Sequence, residues 1–338
     1  MVSWVPKKKI NYDYVQRLFE ESEKTNQFTN GGPNVRKLED AIRFLLEIGD
    51  SKSIICVSNG THALYAAVAA FELYESKELK FVSQSFTFPA SVQGYLKNVD
   101  IVDIDSEGGL NLGLVGDCHG IIVTNVFGNV VDIQRYIDWA SSHKKYLIFD
   151  NAATPYTKYK GINSCNFGHA ATLSFHHTKP LGFGEGGCII IDRKYESYVR
   201  RVINFVFEKI PVPVWNRAGS NYKMSDIQAV FILQYLTSFN EIVGKHHSLA
   251  DYFKSKSRLT FFPNFSSDEP FLSCFCVFVD DSDRKLDLLL KNGIHARKYY
   301  VPLISSPVAN TFYSNIICVP CTVDMGCSDI DKIIQLIQ

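Results

Sequence analysis

Ser174-Phe175-His176-His177-Thr178-Lys179-Pro180-Leu181-Gly182-Phe183-Gly184-Glu185-Gly186-Gly187 is bounded by two apolar runs, Ala170 to Leu173 and Cys188 to Ile191. Short apolar runs flanked by polar and glycine-rich residues read as strands, so the order is strand, polar bend, glycine-rich turn, strand. Lys179 sits in the bend with no acidic residue within five positions. An amine held near backbone and aromatic groups has its ammonium form disfavoured, which is the condition for a nucleophile or a Schiff base. A solvated loop lysine is the plainer reading beside it. Gly182, Gly184 and Gly187 also satisfy G-x-G-x-x-G, but that fingerprint needs a following helix whose N-terminus meets a pyrophosphate. Here a β-branched run, Cys188-Ile189-Ile190-Ile191, follows instead. The Rossmann reading is rejected.

Upstream of this stretch, apolar runs and helical patterns alternate. Strands are expected at 53–57, 80–83, 100–104, 120–124 and 146–149, with helices at 12–24, 35–47, 63–73, 88–97 and 132–142. Continuous apolar strands alternating with helices imply a largely parallel sheet covered on both faces. Ligands of such sheets gather at the carboxyl ends of the strands. Asp150 stands at one such end and Ser58-Asn59-Gly60-Thr61 at another, opening a helix whose N–H groups and dipole form an anion site. Ser174 to Lys179 stands at a third. Each also has an ordinary reading: a capped turn for Gly60 and Thr61, a turn residue for Asp150.

Downstream, helix is expected at 194–209, a Pro/Trp-containing loop at 211–215 and a helix at 224–239. The pattern changes near residue 240, to a polar helix at 240–256, strands at 271–279 and 294–301, and helices at 284–291 and 328–338. This suggests a large domain over 1–240 and a small C-terminal α+β domain over 241–338, with the N-terminal helix available to pack on the smaller one.

Composition excludes several classes. The 338-residue chain is 46% hydrophobic with a formal net charge of zero, which gives no electrostatic case for nucleic acid or an anionic membrane. The longest nearly apolar run, Ala63 to Phe71, is too short to span a bilayer. The first nine residues lack the form of a signal peptide, so a cytoplasmic protein is expected. Nine cysteines suggest free buried thiols in a reducing compartment. Cys318-Val319-Pro320-Cys321 matches C-x-x-C, but no second pair has metal-ligand spacing and no metal is expected.

An anion cradle, a carboxylate and an isolated lysine at neighbouring strand ends suggest pyridoxal phosphate, with the cradle for the phosphate, the lysine for the aldehyde and Asp150 for the ring nitrogen. At this point the resemblance becomes specific. Thr29-Asn30-Gly31-Gly32-Pro33, Asn59-Gly60-Thr61, Ser85-Phe86-Thr87-Phe88, Val102-Asp103-Ile104-Asp105, Val126-Phe127-Gly128-Asn129 and Phe149-Asp150-Asn151-Ala152-Ala153 precede the opening stretch. Asn221-Tyr222-Lys223-Met224-Ser225-Asp226-Ile227-Gln228 and Ala296-Arg297-Lys298-Tyr299-Tyr300-Val301-Pro302-Leu303 follow it. In this order the chain resembles the pyridoxal-phosphate-dependent nucleotide-sugar aminotransferases of the DegT type, within the aspartate aminotransferase fold group.

That resemblance implies a fold-type I enzyme in which Lys179 carries pyridoxal 5'-phosphate, with pyridoxamine 5'-phosphate as intermediate. It implies that Asp150 pairs with the pyridine nitrogen and that Phe88, which simple core packing would also explain, stacks on the ring. Gly60, Thr61 and Ser174 would hold the phosphate. Asn221 would reach the phosphate of a partner subunit, giving a homodimer with shared sites. Thr29, Asn30, His176 and Tyr299 are the substrate-side candidates; His176 or His177 would face cofactor or substrate, and either reads equally as a loop histidine.

Two departures stand out. Asp150-Asn151-Ala152-Ala153 replaces the commoner Asp-Ala-Ala-Gln, and Lys223 stands where arginine is commoner. A related dehydratase branch has histidine at the position of Lys179, so its retention favours transamination. The His-His-Thr-Lys-Pro-x-Gly-Phe-Gly-Glu-Gly-Gly-Cys motif most resembles enzymes that make viosamine, a 4-amino-4,6-dideoxyglucose. The expected substrates are glutamate and a dTDP- or UDP-linked 4-keto-6-deoxyglucose. A sugar 3-aminotransferase and a non-catalytic pyridoxal-phosphate-binding sensor are the alternatives.

Overall fold

The computed structural model describes residues 1–206, 218–262 and 269–338. The loop expected at 211–215 and the end of the helix expected at 194–209 lie outside the described residues. Chain order begins with α1 (Tyr12–Thr25), α2 (Pro33–Leu45), β1 (Lys52–Val57), α3 (Gly60–Glu75), β2 (Phe81–Gln84), β3 (Asp100–Val102) and β4 (Gly120–Thr124). It continues with α4 (Ile133–His143), β5 (Tyr146–Asp150), a two-residue-stranded hairpin of β6 (Lys158–Tyr159) and β7 (Ile162–Asn163), β8 (Ala170–Ser174), β9 (Gly187–Asp192) and α5 (Glu196–Val202). Then come α6 (Asp226–Leu236), α7 (Phe239–Lys256), β10 (Cys274–Phe278), α8 (Ser282–Lys291), α9 (Pro307–Asn315), β11 (Ile316–Pro320) and α10 (Cys327–Ile337).

The sheet has seven strands in the order β1-β9-β8-β5-β4-β2-β3. β3, β2, β4, β5 and β8 pair in parallel, and β9 runs antiparallel between β8 and β1. Alternating side chains feed two cores, as strand geometry requires. Ile54 and Cys56 of β1 pack with Leu38 and Ile42 of α2 and Val230 of α6, while Ile55 and Val57 pack with Ala66 and Ala67 of α3 and Val199 of α5. Because both faces are covered, β1 is buried throughout, which is why it reads as a continuous apolar run. Helix α1 lies against α2 and α6, whereas Val2, ahead of it, forms a parallel bridge to Ile294.

The C-terminal elements sit over the carboxyl edge of this sheet. β10 and β11 pair antiparallel. One face, with Phe275, Val277, Ile317 and Val319, packs on Leu249 and Phe253 of α7 and Ile330 and Ile333 of α10. The other face, with Cys274, Cys276 and Cys318, packs on Phe86, Val126 and Phe127 from the strand ends.

Two sequence expectations differ from the structure. Residues 88–97 are two short 3-10 turns, Pro89–Ser91 and Gly94–Leu96, because the chain turns extended at Gln93 and Gly94 takes φ +58°. The strand expected at 294–301 is absent. Ile294 and Arg297 make single bridges to Val2 and Cys318, and the partner of β10 is β11 instead. All nine cysteines are free; Cys327 is exposed and the rest are buried.

Candidate active site

Three strand ends meet at one cavity of about 560 Å3. Its lining includes Gly60 and Thr61 after β1, Asp150 at the end of β5, Ser174 at the end of β8 and Lys179 just beyond it. Phe88, His176 and Tyr299 line it too. A larger groove of about 870 Å3, beside Glu72, Lys80 and Tyr95, contains none of these strand-end groups. The chemistry selects the smaller cavity.

The turn carrying Lys179 is held by its own backbone. His177 N donates to Gly184 O at 2.7 Å, Lys179 N to His176 O at 2.8 Å, Gly182 N to Lys179 O at 3.0 Å and Phe183 N to Phe175 O at 2.9 Å. Lys179 is half-buried and lines the cavity. Burial lowers its pKa below the ordinary lysine value, while the charge of Asp150 pulls the other way. Asp150 is 3% exposed, and burial raises its pKa against the opposing pull of the Ala152 N–H and of Lys179. Its Oδ1 accepts from Ala152 N at 3.0 Å. A poorly solvated amine and a poorly solvated carboxylate thus share one enclosed site, where each group's ionisation answers to the other.

Helix α3 opens on Asn59, whose side chain accepts from His62 N at 2.8 Å. A Cβ on Gly60 would lie 2.8 Å from Ser174 Cβ, so only glycine lets the helix start against the end of β8. The result is a helix N-terminus with a serine hydroxyl beside it, a cradle for a phosphate.

The residues present fit pyridoxal phosphate. The cradle, the buried carboxylate and the amine face the same space, and Phe88 offers an aromatic wall. Phe88 is 58% exposed, which excludes core packing, and its ring stands 6.4 Å from that of Tyr300. Tyr300 stacks on Phe127 at 5.5 Å, nearly parallel.

Of the remaining expected residues, His176 lines the cavity and the others do not. Thr29 and Asn30 are exposed on the α1–α2 loop and do not line the cavity. Asn221 is exposed in a bridge to Asn204, outside the lining of its own chain's cavity; the next residue, Tyr222, accepts from Ser58 N at 2.9 Å. Lys223 donates to Asn204 Oδ1 at 2.8 Å. His176 stands at the mouth with Nδ1 2.9 Å from Thr178 Oγ1 and Nε2 3.6 Å from Glu185 Oε1. His177 is exposed, and its pKa is lowered by burial and by the nearby Lys8 charge.

Sequence reasoning did not single out Asn125, Glu185, Arg297 or Tyr300, all of which line the cavity. Asn125 follows the end of β4, so the strand-end rule that selected Asp150 would have found it. Arg297 is exposed at the mouth, donating from Nη1 to Tyr299 Oη at 2.6 Å, and its guanidinium lies 5.1 Å from the Trp4 ring. Among the described residues, no group of His, Cys, Asp and Glu could hold a metal, and no helix is long and apolar enough to cross a membrane.

Residues 11–338 match the DegT/DnrJ/EryC1/StrS aminotransferase family. GDP-perosamine synthase of Escherichia coli O157:H7 is 28% identical over 210 residues, 59% of this chain and 57% of that one. The dTDP-4-amino-4,6-dideoxy-D-glucose transaminase of Escherichia coli is 23% identical over 96% of this chain and 93% of its own. Among solved structures, DesI in the presence of its TDP-sugar product superposes with a TM-score of 0.84 at 20% identity, covering 97% of this chain and 90% of that one.

Proposed function

This chain belongs to the DegT/DnrJ/EryC1/StrS aminotransferase family, and on that premise we propose that it transfers the amino group of glutamate to C4 of a nucleotide-linked 4-keto-6-deoxyglucose, giving a 4-amino-4,6-dideoxyglucose nucleotide. The observation that carries the reading is the enclosure of the Lys179 amine in one cavity with Asp150 and the N-terminus of α3. The likeness to the Escherichia coli dTDP-4-amino-4,6-dideoxy-D-glucose transaminase over nearly the whole chain supports C4 as the site of transfer.

The cofactor is pyridoxal 5'-phosphate. Gly60, Thr61 and Ser174 would hold its phosphate, Lys179 would bind its aldehyde carbon, and Phe88 would cover one ring face. When bound, it supplies an electron sink for negative charge on the carbon next to the transferred nitrogen. Asp150 would keep the ring nitrogen protonated, which the raised cost of a lone buried carboxylate favours. Burial favours the neutral amine of Lys179. That amine would take a proton on Nζ from the α-carbon of glutamate and later deliver one to C4 of the sugar. Packing of the thiol-lined face of β10 and β11 over the strand ends would limit water at the site.

We also assign Asn221 to the phosphate of a partner subunit, in a homodimer whose sites draw on both chains. The exposure of Asn221, away from the cavity of its own chain, supports this. The division into a cofactor domain over 1–240 and a small domain over 241–338 is supported by the packing of α7 on α10.

The experiment is incubation with 15N-glutamate and dTDP- or UDP-4-keto-6-deoxyglucose, followed by NMR of the product. Nitrogen-15 on C4 is expected. Transfer to C3 of a 3-keto sugar nucleotide, with none to C4, would overturn the regiochemistry. No transfer to any keto sugar from a cofactor-loaded protein would overturn the activity.

A further inference from the structure

The N-terminal arm ahead of α1 is fixed along its length. Val2 N donates to Gly293 O at 2.8 Å and His295 N to Val2 O at 3.0 Å. Trp4 meets Tyr299 edge-on at 5.7 Å, and Lys7 N donates to Asp324 Oδ2 at 2.6 Å. Asn11 N donates to Gln234 Oε1 at 3.1 Å, and Gln234 Nε2 returns a bond to Lys9 O at 3.4 Å. Between these anchors Lys8 turns inward. Its Nζ donates to His177 O at 2.7 Å, to Lys179 O at 3.2 Å and to Gly182 O.

An ammonium has three N–H donors and no acceptor, and here it meets three carbonyl oxygens from one short turn. Those oxygens face one another across the turn. Without a cation between them their dipoles repel, and at least two have no other backbone donor in the turn. The Lys8 stem approaches over the Tyr235 ring, with Nζ 4.7 Å from its centroid. Among the described residues no carboxylate forms an ion pair with Lys8. Burial pulls its pKa down to about 8, which marks how far the arm has drawn the charge from water. A partly buried charge whose polar contacts are the carbonyls of the turn acts on that turn.

We propose that Lys8 is a positioning residue for Lys179: its ammonium gathers the carbonyls of His177, Lys179 and Gly182 and so fixes the backbone that points the Lys179 amine into the cavity. The inference rests on the assignment of Lys179 as the cofactor lysine. It adds that the N-terminal arm, remote from the site in sequence, sets the amine's direction. Lys7 and Lys9, whose side chains are exposed on the same arm, have no part in it.

The test compares wild type with Lys8→Met, and with Lys7→Met and Lys9→Met as controls, in the full-length chain. Affinity of the apoprotein for pyridoxal phosphate is read from visible absorbance, and hydrogen exchange of the apoprotein is followed by peptide. Lys8→Met is expected to weaken cofactor affinity on the order of 10- to 100-fold, the effect of losing one or two charge-assisted hydrogen bonds. It should speed exchange in peptides over 176–183 while leaving β5 protected, and both controls should match wild type. Wild-type affinity and exchange in Lys8→Met would overturn the proposal. So would faster exchange spread equally through β5, which would make Lys8 a general stabiliser. If Lys8→Met does not fold, Lys8→Gln, which keeps N–H donors on a shorter stem, carries the same comparison. A wild type that binds no pyridoxal phosphate at Lys179 would instead sink the cofactor-lysine assignment, which the exchange data do not depend on.

Discussion

Asn151 turns away from the cavity and accepts from Asn125 Nδ2 at 2.7 Å, joining the ends of β5 and β4. Its own Nδ2 donates to Ser164 Oγ at 3.2 Å and to Cys165 Sγ at 3.4 Å. The unusual Asp150-Asn151-Ala152-Ala153 sequence therefore places a structural amide beside the buried carboxylate of Asp150, while Ala152 and Ala153 line the cavity. Asn151→Ala would take the partner from one buried donor, Asn125 Nδ2, and from two buried acceptors, Ser164 Oγ and Cys165 Sγ. We expect a loss of about 1–3 kcal/mol in urea unfolding, with the visible spectrum of the bound cofactor retained. A stability equal to wild type would show that water replaces the amide.

Lys179→Ala should give a colourless protein without turnover, whereas wild type should be yellow. Borohydride reduction of wild type should fix the cofactor mass to the peptide containing Lys179. A label on another lysine would relocate the site.

Asp150→Asn keeps the shape of the side chain and removes its charge. It should fold and bind some cofactor, yet lose roughly 2–4 kcal/mol of transition-state stabilisation, about 30- to 1000-fold in rate. Activity within a few-fold of wild type would return Asp150 to a turn residue.

His246 gives a pH prediction outside the site. It is 2% exposed, Nδ1 lies 2.8 Å from Leu272 O, and burial pulls its pKa down to about 4. The unfolded state takes up a proton below about 6.5 and the folded state does not until about 4. Stability from this group is therefore complete above the unfolded pKa and falls as pH drops between those values, by up to ~3 kcal/mol. Urea midpoints measured across that range should flatten in His246→Gln. An unchanged slope would assign the acid sensitivity to other groups.

Mixed dimers test the partner assignment. Lys179→Ala lacks the amine, and Asn221→Trp would damage the cradle to which Asn221 is assigned, so each homodimer should be nearly inactive. Two-fold symmetry gives the mixed dimer one site with both residues intact and one with both altered. Co-expression should restore up to about half of wild-type activity per mixed dimer. No recovery, with heterodimers confirmed by mass, would place Asn221 in its own subunit's site.

Much of this architecture was legible because buried parallel strands have an undiluted signature. β1, β4, β5, β8 and β9 are short apolar runs, and the groups just past their ends are the ones that converge. Local pattern failed at 88–97, where Val92, Tyr95 and Leu96 have helical spacing but Gly94 lies in the left-handed region. It failed again at β11, whose pairing with β10 is a long-range choice that apolar content cannot decide. Lys8 and Trp4 left no signal because their contacts join residues far apart in the chain. An exposed-looking lysine run reads the same whether or not one member turns inward.

The reversed direction of β9 also bears on how the site assembles. Strands joined by crossovers must wait for a long stretch of chain to come together, but β8 and β9 pair antiparallel across a single loop, from Ala170 against Ile191 to Ser174 against Gly187. Closing a short loop forfeits less chain entropy than closing a long one. The hairpin bearing Lys179 is thus the cheapest part of the site to nucleate, whereas β1, which brings Gly60 and Thr61, must find β9 from far earlier in the sequence. During synthesis, Gly60 and Thr61 leave the ribosome long before β9, the strand against which β1 pairs, exists.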